Sequence, residues 1–314
     1  MATNKTDRSI ALLCRAQGTD SPREAIAQRV EALLDKAERI GGLAQLPVDV
    51  EFVASVAGIT SVLDVSGLVT AAQVRPLSSI DRRLVVERRA EDPLVRRRFS
   101  VGHEIGHTLF PDFWNDPVAC RPPSDETLVG ARAEEVEALC ELAGALILLP
   151  TRLVTGTINH IRPSMADVVH VAELAQASLI ASGRRVVDLA ESPAAFLVLS
   201  SRLSKTERQR QAELIDQTVL PGFDAAVVVE PKFRIDYSHS SEGMPYLPRH
   251  KSLPSAIFEA ARETGLVEMT CETLELHSRP IELDLTAIYA PLNIGVERRE
   301  RYLAVATIRA QSPD

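Results

Sequence analysis

The sequence predicts an α+β fold in two parts: a mainly helical first domain with a small sheet over residues 1–195, then an α/β domain over residues 196–314. Three observations predict it. A chain of 314 residues is long enough for its hydrophobic core to split in two. The apolar residues of the first part recur mostly at helical spacing. Beyond Phe196 to Ser204 the texture changes to β-rich runs, AAVVVE, PIELDLTAIYAPL and RYLAVATIRA, with one helical stretch, PSAIFEAARET, among them.

In the first part, SPREAIAQRVEALLDKAERI has helical periodicity, a Ser21/Glu24 capping-box pattern and Pro22 at the first helical position, which predicts a helix over 21–40. A second helix is expected over 48–58. Extended segments come next at 61–65, 67–71 and 83–86, the last read as an exposed edge on which a substrate segment can align by β-addition. Helices are then expected over 99–110 and 134–149, the latter stopped by Pro150. Between them, DFWNDPVACRPPSD reads as a loop because prolines and turn formers interrupt any period. Residues 164–190 are helical again, with a helix-turn-helix outline around 173–187 whose residues favour packing over base reading.

Apolar residues make up 45% and charged residues 25%, the balance of an ordinary globular chain. The apolar run Ile10 to Cys14 is too short for a signal sequence, and no stretch approaches the roughly 20 apolar residues of a membrane helix. The four cysteines, Cys14, Cys120, Cys140 and Cys271, lack CxxC spacing and read as free thiols of a cytoplasmic protein. A net charge of -8 argues against a surface that coats duplex DNA, and the arginine clusters at 82–83, 88–89, 96–98 and 202–210 read as solvated faces.

The chemistry concentrates in FSVGHEIGHTLF. His103 and His107 stand four residues apart, so on a helix both rings project from one face and can bind the same ion. Glu104 beside them is placed to accept a proton from water that the cation has acidified, the arrangement that attacks a peptide carbonyl. The surrounding Phe99, Val101, Ile105, Leu109 and Phe110 predict a buried helix, and Gly106 leaves room for a neighbouring backbone. A catalytic zinc site takes three protein ligands and keeps one open position, so a third ligand is needed. In EEVEALCELAGALILLP, Glu137 is the expected ligand with Glu134 as its rival, and Glu141 on the same face is expected to orient a ligand histidine. Two imidazoles and a carboxylate suit Zn2+. Cys140 reads as core, although its place three residues after Glu137 keeps it near the metal. Cys120, in the intervening loop, is placed to swing onto the open zinc position as an inhibitory ligand. Tyr237, His239 and Tyr246 fall in a stretch read as a polar loop, and any of them could meet an oxyanion. His160, His170, His250 and His277 have no partner at ligand spacing.

RFSVGHEIGHTLF, followed by EALCELAGALILLP, resembles the ImmA/IrrE-type metallopeptidases, which carry HEhGH and then an ExxAN-like helix ending in LLMP; PVDVEFVASVAGI resembles their entry segment. Cys140 and Glu141 stand where that family usually has Ala-Asn. The resemblance covers about residues 45–190. It extends more weakly beyond, since some members add a GAF-like sensory domain like the α/β part read here. It implies a zincin-like metallopeptidase domain followed by a GAF-like domain. It also implies a limited cut in a helix-turn-helix repressor that releases stress or antiphage genes, with single-stranded DNA as activator and a cysteine switch as brake. The opposing reading is a non-proteolytic regulatory or DNA-binding protein with a structural zinc. An apolar face on the second domain would bind a ligand or a second copy of the chain.

Overall fold

The computed structural model describes residues 5–78, 83–113, 133–218, 229–253, 256–276, 279–294 and 297–309. It is a mixed α+β chain, and its residues cluster into two compact units. The first comprises residues 1–156 with 171–181, the second 157–170 with 182–314.

The first unit opens with α1 (Lys5–Gln17) and α2 (Pro22–Arg39). Ser21 caps α2 by accepting from the Glu24 amide at 3.3 Å. The reciprocal half of the capping box passes through Thr19, whose hydroxyl accepts from the Ser21 amide and donates to Glu24. After α3 (Val50–Val56), capped by Asp49, come three strands: β1 (Ile59–Val65), β2 (Ala72–Ser78) and β3 (Arg83–Arg89). Residues 67–71, expected to be extended, instead form the connection between β1 and β2.

The sheet order is β1-β3-β2, with β3 parallel to β1 and antiparallel to β2. Arg83–Val86 is therefore not an edge: β3 is the middle strand, and Leu84, Val85 and Val86 are all buried. The edge next to α4 (Leu94–Thr108) is β2 instead. The Arg89 amide donates to the Ala71 carbonyl, which sets the phase of the ladder so that Ala72, Val74 and Pro76 turn their main-chain groups outward. Pro76, lacking an N–H, fits that outward phase.

Beyond the sheet, α4 is paired with α5 (Ala133–Leu148), which ends before Pro150, as expected from the sequence. Their mutual approach is set by glycine. A Cβ added to Gly144 would lie 2.9 Å from the His103 main-chain nitrogen, and one added to Gly106 would lie 3.0 Å from Cys140 Cα. The two backbones thus touch where each lacks a side chain, which lets α5 carry its first turns over the histidines of α4.

The short α6 (Thr151–Val154) leads to α7 (Met165–Ala175) and α8 (Leu179–Asp188), separated by a tight turn with Gln176 at φ +50°. Four arginines of the first unit, Arg88, Arg89, Arg96 and Arg97, are matched by acids. Arg88 meets Asp64 at 2.7 Å and Glu51 at 2.9 Å, Arg97 also meets Asp64, and Arg89 and Arg96 meet Asp92.

The second unit holds β4 (Ala194–Arg202), α9 (Lys205–Thr218), β5 (Lys232–Ser240), β6 (Ser252–Leu253), α10 (Ala256–Thr264), β7 (Leu266–Leu276), β8 (Arg279–Tyr289), the small pair β9 (Leu292–Ile294) and β10 (Glu297–Arg299), and β11 (Tyr302–Ile308). Its main sheet is antiparallel throughout, in the order β6-β5-β4-β11-β8-β7.

Alternation along β4 buries Ala195, Leu197 and Leu199 on one face, where α10 covers the sheet with Ile257, Phe258 and Ala261. Phe233 stacks on Phe258, and Tyr302 meets both edge-on. On the other face Phe196 packs over Gly183, where an added Cβ would come within 2.3 Å of the ring. The stretch containing Tyr237 and His239 is strand β5 rather than a loop. The run AAVVVE lies largely outside the described residues. Among the described residues no single helix is long and apolar enough to cross a membrane.

Candidate metal centre

A helix repeats every 3.6 residues, so His103, Glu104 and His107 fall on neighbouring positions of the α4 face turned toward β2 and α5. Glu104 and His107 are buried, whereas Glu137 on α5 is half exposed. Nε2 of His103 lies 3.2 Å from Nε2 of His107. Glu137 reaches both, its Oε2 3.1 Å from His103 Nε2 and its Oε1 3.7 Å from His107 Nε2. Each residue thereby offers one ligand atom to a common point, with all three atoms within 4.8 Å of one another. Among the described residues this is the one trio of His, Cys, Asp or Glu that could hold a metal ion.

The donor chemistry fits such an ion. Two ring nitrogens and a carboxylate oxygen converge, and two close imidazoles with no cation between them gain little from each other. Burial depresses the His107 pKa and favours the neutral ring that a metal needs, despite the opposing pull of Glu137. Burial acts the same way on His103. There, however, the hydrogen bond to Glu137 and the charges of Glu104, Glu137 and Glu141 prevail and raise its pKa. That hydrogen bond in turn is the main reason the Glu137 carboxyl sits below its ordinary value.

Glu104, beside His103 on the same helix, is also held by the sheet. Its Oε2 accepts the outward main-chain N–H of Val74 at 2.8 Å. Burial raises its pKa to about 7, against the lowering influence of His103 and of that hydrogen bond.

Of the other expected residues, Glu141 is exposed, within electrostatic reach of His103 but with no hydrogen bond to either ring. Cys140, expected to be core, is fully buried and also brings its Sγ to 3.3 Å from His107 Nδ1. Sequence reasoning misses this polar contact at the ring nitrogen. The only signal for it is the three-residue offset from Glu137, which keeps position 140 close to the same face. Cys120, the Glu134 side chain and His277 lie outside the described residues. His239 bonds Asp188 at 2.6 Å within the second unit, and His250 receives a hydrogen bond from Arg202.

No protein-family model matches the sequence, and comparison with curated proteins finds no match. Among solved structures, the fold is similar to a Mycobacterium tuberculosis transcriptional regulator, with a TM-score of 0.54 at 13% identity over 96% of this chain and 80% of that one.

Proposed function

We propose that this chain is a zinc-dependent endopeptidase of the ImmA/IrrE type that makes a limited cut in a helix-turn-helix repressor. A single observation carries the reading: His103, His107 and Glu137 converge on one point with the buried carboxylate of Glu104 on the adjacent turn position. The two histidines and Glu137 would hold the ion, and zinc bound there supplies Lewis acidity that polarises a peptide carbonyl and acidifies water.

Glu104 is the proton carrier. Val74 pins its Oε2, which leaves Oε1 to take a proton from water and return it to the departing amine. Burial raises the Glu104 pKa in the metal-free protein, and a cation held by the neighbouring trio would favour the carboxylate form that accepts a proton. A purely structural ion has no use for a buried carboxylate in this position.

The sheet order of the second unit supports a GAF-like reading. Numbered within this main sheet alone it runs 3-2-1-6-5-4, an antiparallel sheet with strands one and six at the centre. A sensory role for this unit, with Cys120 as brake and single-stranded DNA as activator, belongs to the same proposal.

The similar solved structure is that of a transcriptional regulator, which is compatible with a regulatory role under either reading, and the rival is a regulator without proteolysis. The two separate in one experiment: the purified protein is incubated with the helix-turn-helix protein encoded beside its gene, with and without chelation and zinc replacement. The peptidase reading expects a discrete cleavage that chelation abolishes and zinc restores. An uncut partner under every condition, including added single-stranded DNA, would favour the regulator.

A further inference from the structure

We infer that Cys140 is the positioning residue for His107, its sulfur accepting the Nδ1 proton so that Nε2 faces His103 and Glu137 as a lone pair. The inference rests on the metal-centre reading above and extends it to a residue that sequence reads as core, placed near the metal only by its three-residue offset from Glu137.

The geometry is specific. Cys140 Sγ lies 3.3 Å from Nδ1 of His107, whereas Nε2 of the same ring lies 3.2 Å from His103 Nε2. The sulfur and the metal trio therefore engage opposite nitrogens of one imidazole. A neutral imidazole carries a single proton, and a nitrogen that binds a cation must be the one without it. The proton then belongs on Nδ1, and a buried N–H without an acceptor is costly. Among the described residues the sulfur is the hydrogen-bond partner that Nδ1 has.

The sulfur is also held in place. Cys140 is fully buried, and its Cα lies 3.0 Å from where a Gly106 side chain would begin, one residue before His107. The contact that lets α5 approach α4 is the one that delivers the sulfur to the ring. Groups that orient a metal-binding histidine are usually carboxylates or carbonyls, and a thiol is a weaker acceptor. The position is thus tuned toward a softer hold on His107 than an oxygen would give.

The test is zinc affinity of the full-length protein, measured by competition with a chromophoric chelator, for wild type, Cys140→Ala and Cys140→Ser, with melting of the metal-free proteins as a control for folding. Cys140→Ala should weaken zinc binding by about 10-fold or more, and Cys140→Ser, which restores an acceptor, should recover most of the loss. Equal affinity of wild type and Cys140→Ala would overturn the inference, as would equal weakening in both variants, which would make the effect one of packing.

Cobalt substitution of Cys120→Ser, which lacks the thiol proposed above as a brake on the open zinc position, gives a second measurement. A spectrum without sulfur-to-cobalt absorption is expected, and its presence would overturn the inference by making Cys140 a ligand. Should wild type bind no zinc that His103→Ala loses, the metal-centre reading fails together with the inference. The other contradictory outcomes leave that reading standing.

Discussion

Val74 donates its main-chain N–H to Glu104 Oε2 over 2.8 Å, so that an edge strand fixes the carboxylate lying between the two histidines in sequence. The bond exists because β2 turns the main-chain groups of Ala72, Val74 and Pro76 outward, where the Val74 amide meets Glu104 of α4. It supplies one of the few hydrogen bonds that make a buried carboxylate tolerable.

The cost of that burial is measurable in the metal-free protein. Glu104 keeps its proton up to about pH 7 when folded, but releases it near the ordinary carboxyl value of 4.5 when unfolded. The folded state therefore binds more protons between those values, and its stability falls as pH rises through the window. Glu104→Gln, which can still accept from Val74, should gain up to about 3 kcal/mol relative to wild type at pH 8, and the gain should vanish below about pH 4.5. Urea unfolding of chelator-treated proteins at the two pH extremes measures it. A wild-type-minus-variant difference that does not change with pH would contradict the assignment.

The glycine contact between α4 and α5 sets the reach of Glu137. In Gly144→Ala the new Cβ would meet the His103 main chain at 2.9 Å, and since backbone cannot swing aside the helices must separate. Overpacking of this kind costs about 1–3 kcal/mol. The variant should melt lower than wild type and also bind zinc more weakly, because the separation draws Glu137 from His103. Calorimetric titration with zinc, beside a thermal melt, distinguishes this from simple destabilisation.

The second unit has its own core, and damage there should leave the metal site alone. Phe258 is fully buried between Phe233 and Tyr302. Phe258→Ala should destabilise that unit by about 3–5 kcal/mol. Zinc affinity should stay at the wild-type value, since the whole trio belongs to the first unit. Melting monitored by circular dichroism, with a parallel zinc titration, checks both halves.

What the sequence makes legible depends on whether the signal is local. The His103/His107 pair and its helix come from a four-residue spacing, and Glu137 comes from the need for a third ligand and from a helix that starts shortly before it. Strand order has no such signal. The parallel β1–β3 pairing joins Asp64 to Arg88 across a connection that contains β2, and nothing in the strand's own residues states which neighbour it will take.

Strand β5, KFRIDYSHS, reads as a loop in sequence because its polar residues find partners only in the folded chain. Arg234 is met by Glu207, Asp236 by Arg202 and His239 by Asp188. The contact of Cys140 with His107 is hidden for a similar reason: a buried cysteine is as common in a core as beside a metal, and only the glycine-mediated approach of α5 reveals which ring atom it meets.

The central claim, that Glu104 works as a proton carrier beside a metal held by His103, His107 and Glu137, meets its most direct test in one comparison. Wild type and Glu104→Gln, each loaded with zinc to the same measured content, are incubated with the helix-turn-helix protein encoded beside the gene, with and without added single-stranded DNA, and the products are weighed by intact mass spectrometry. The account predicts a single discrete cut by wild type, slowed at least about 100-fold in Glu104→Gln although its zinc is retained. Equal cleavage by both proteins, or none by either with zinc bound, would contradict it.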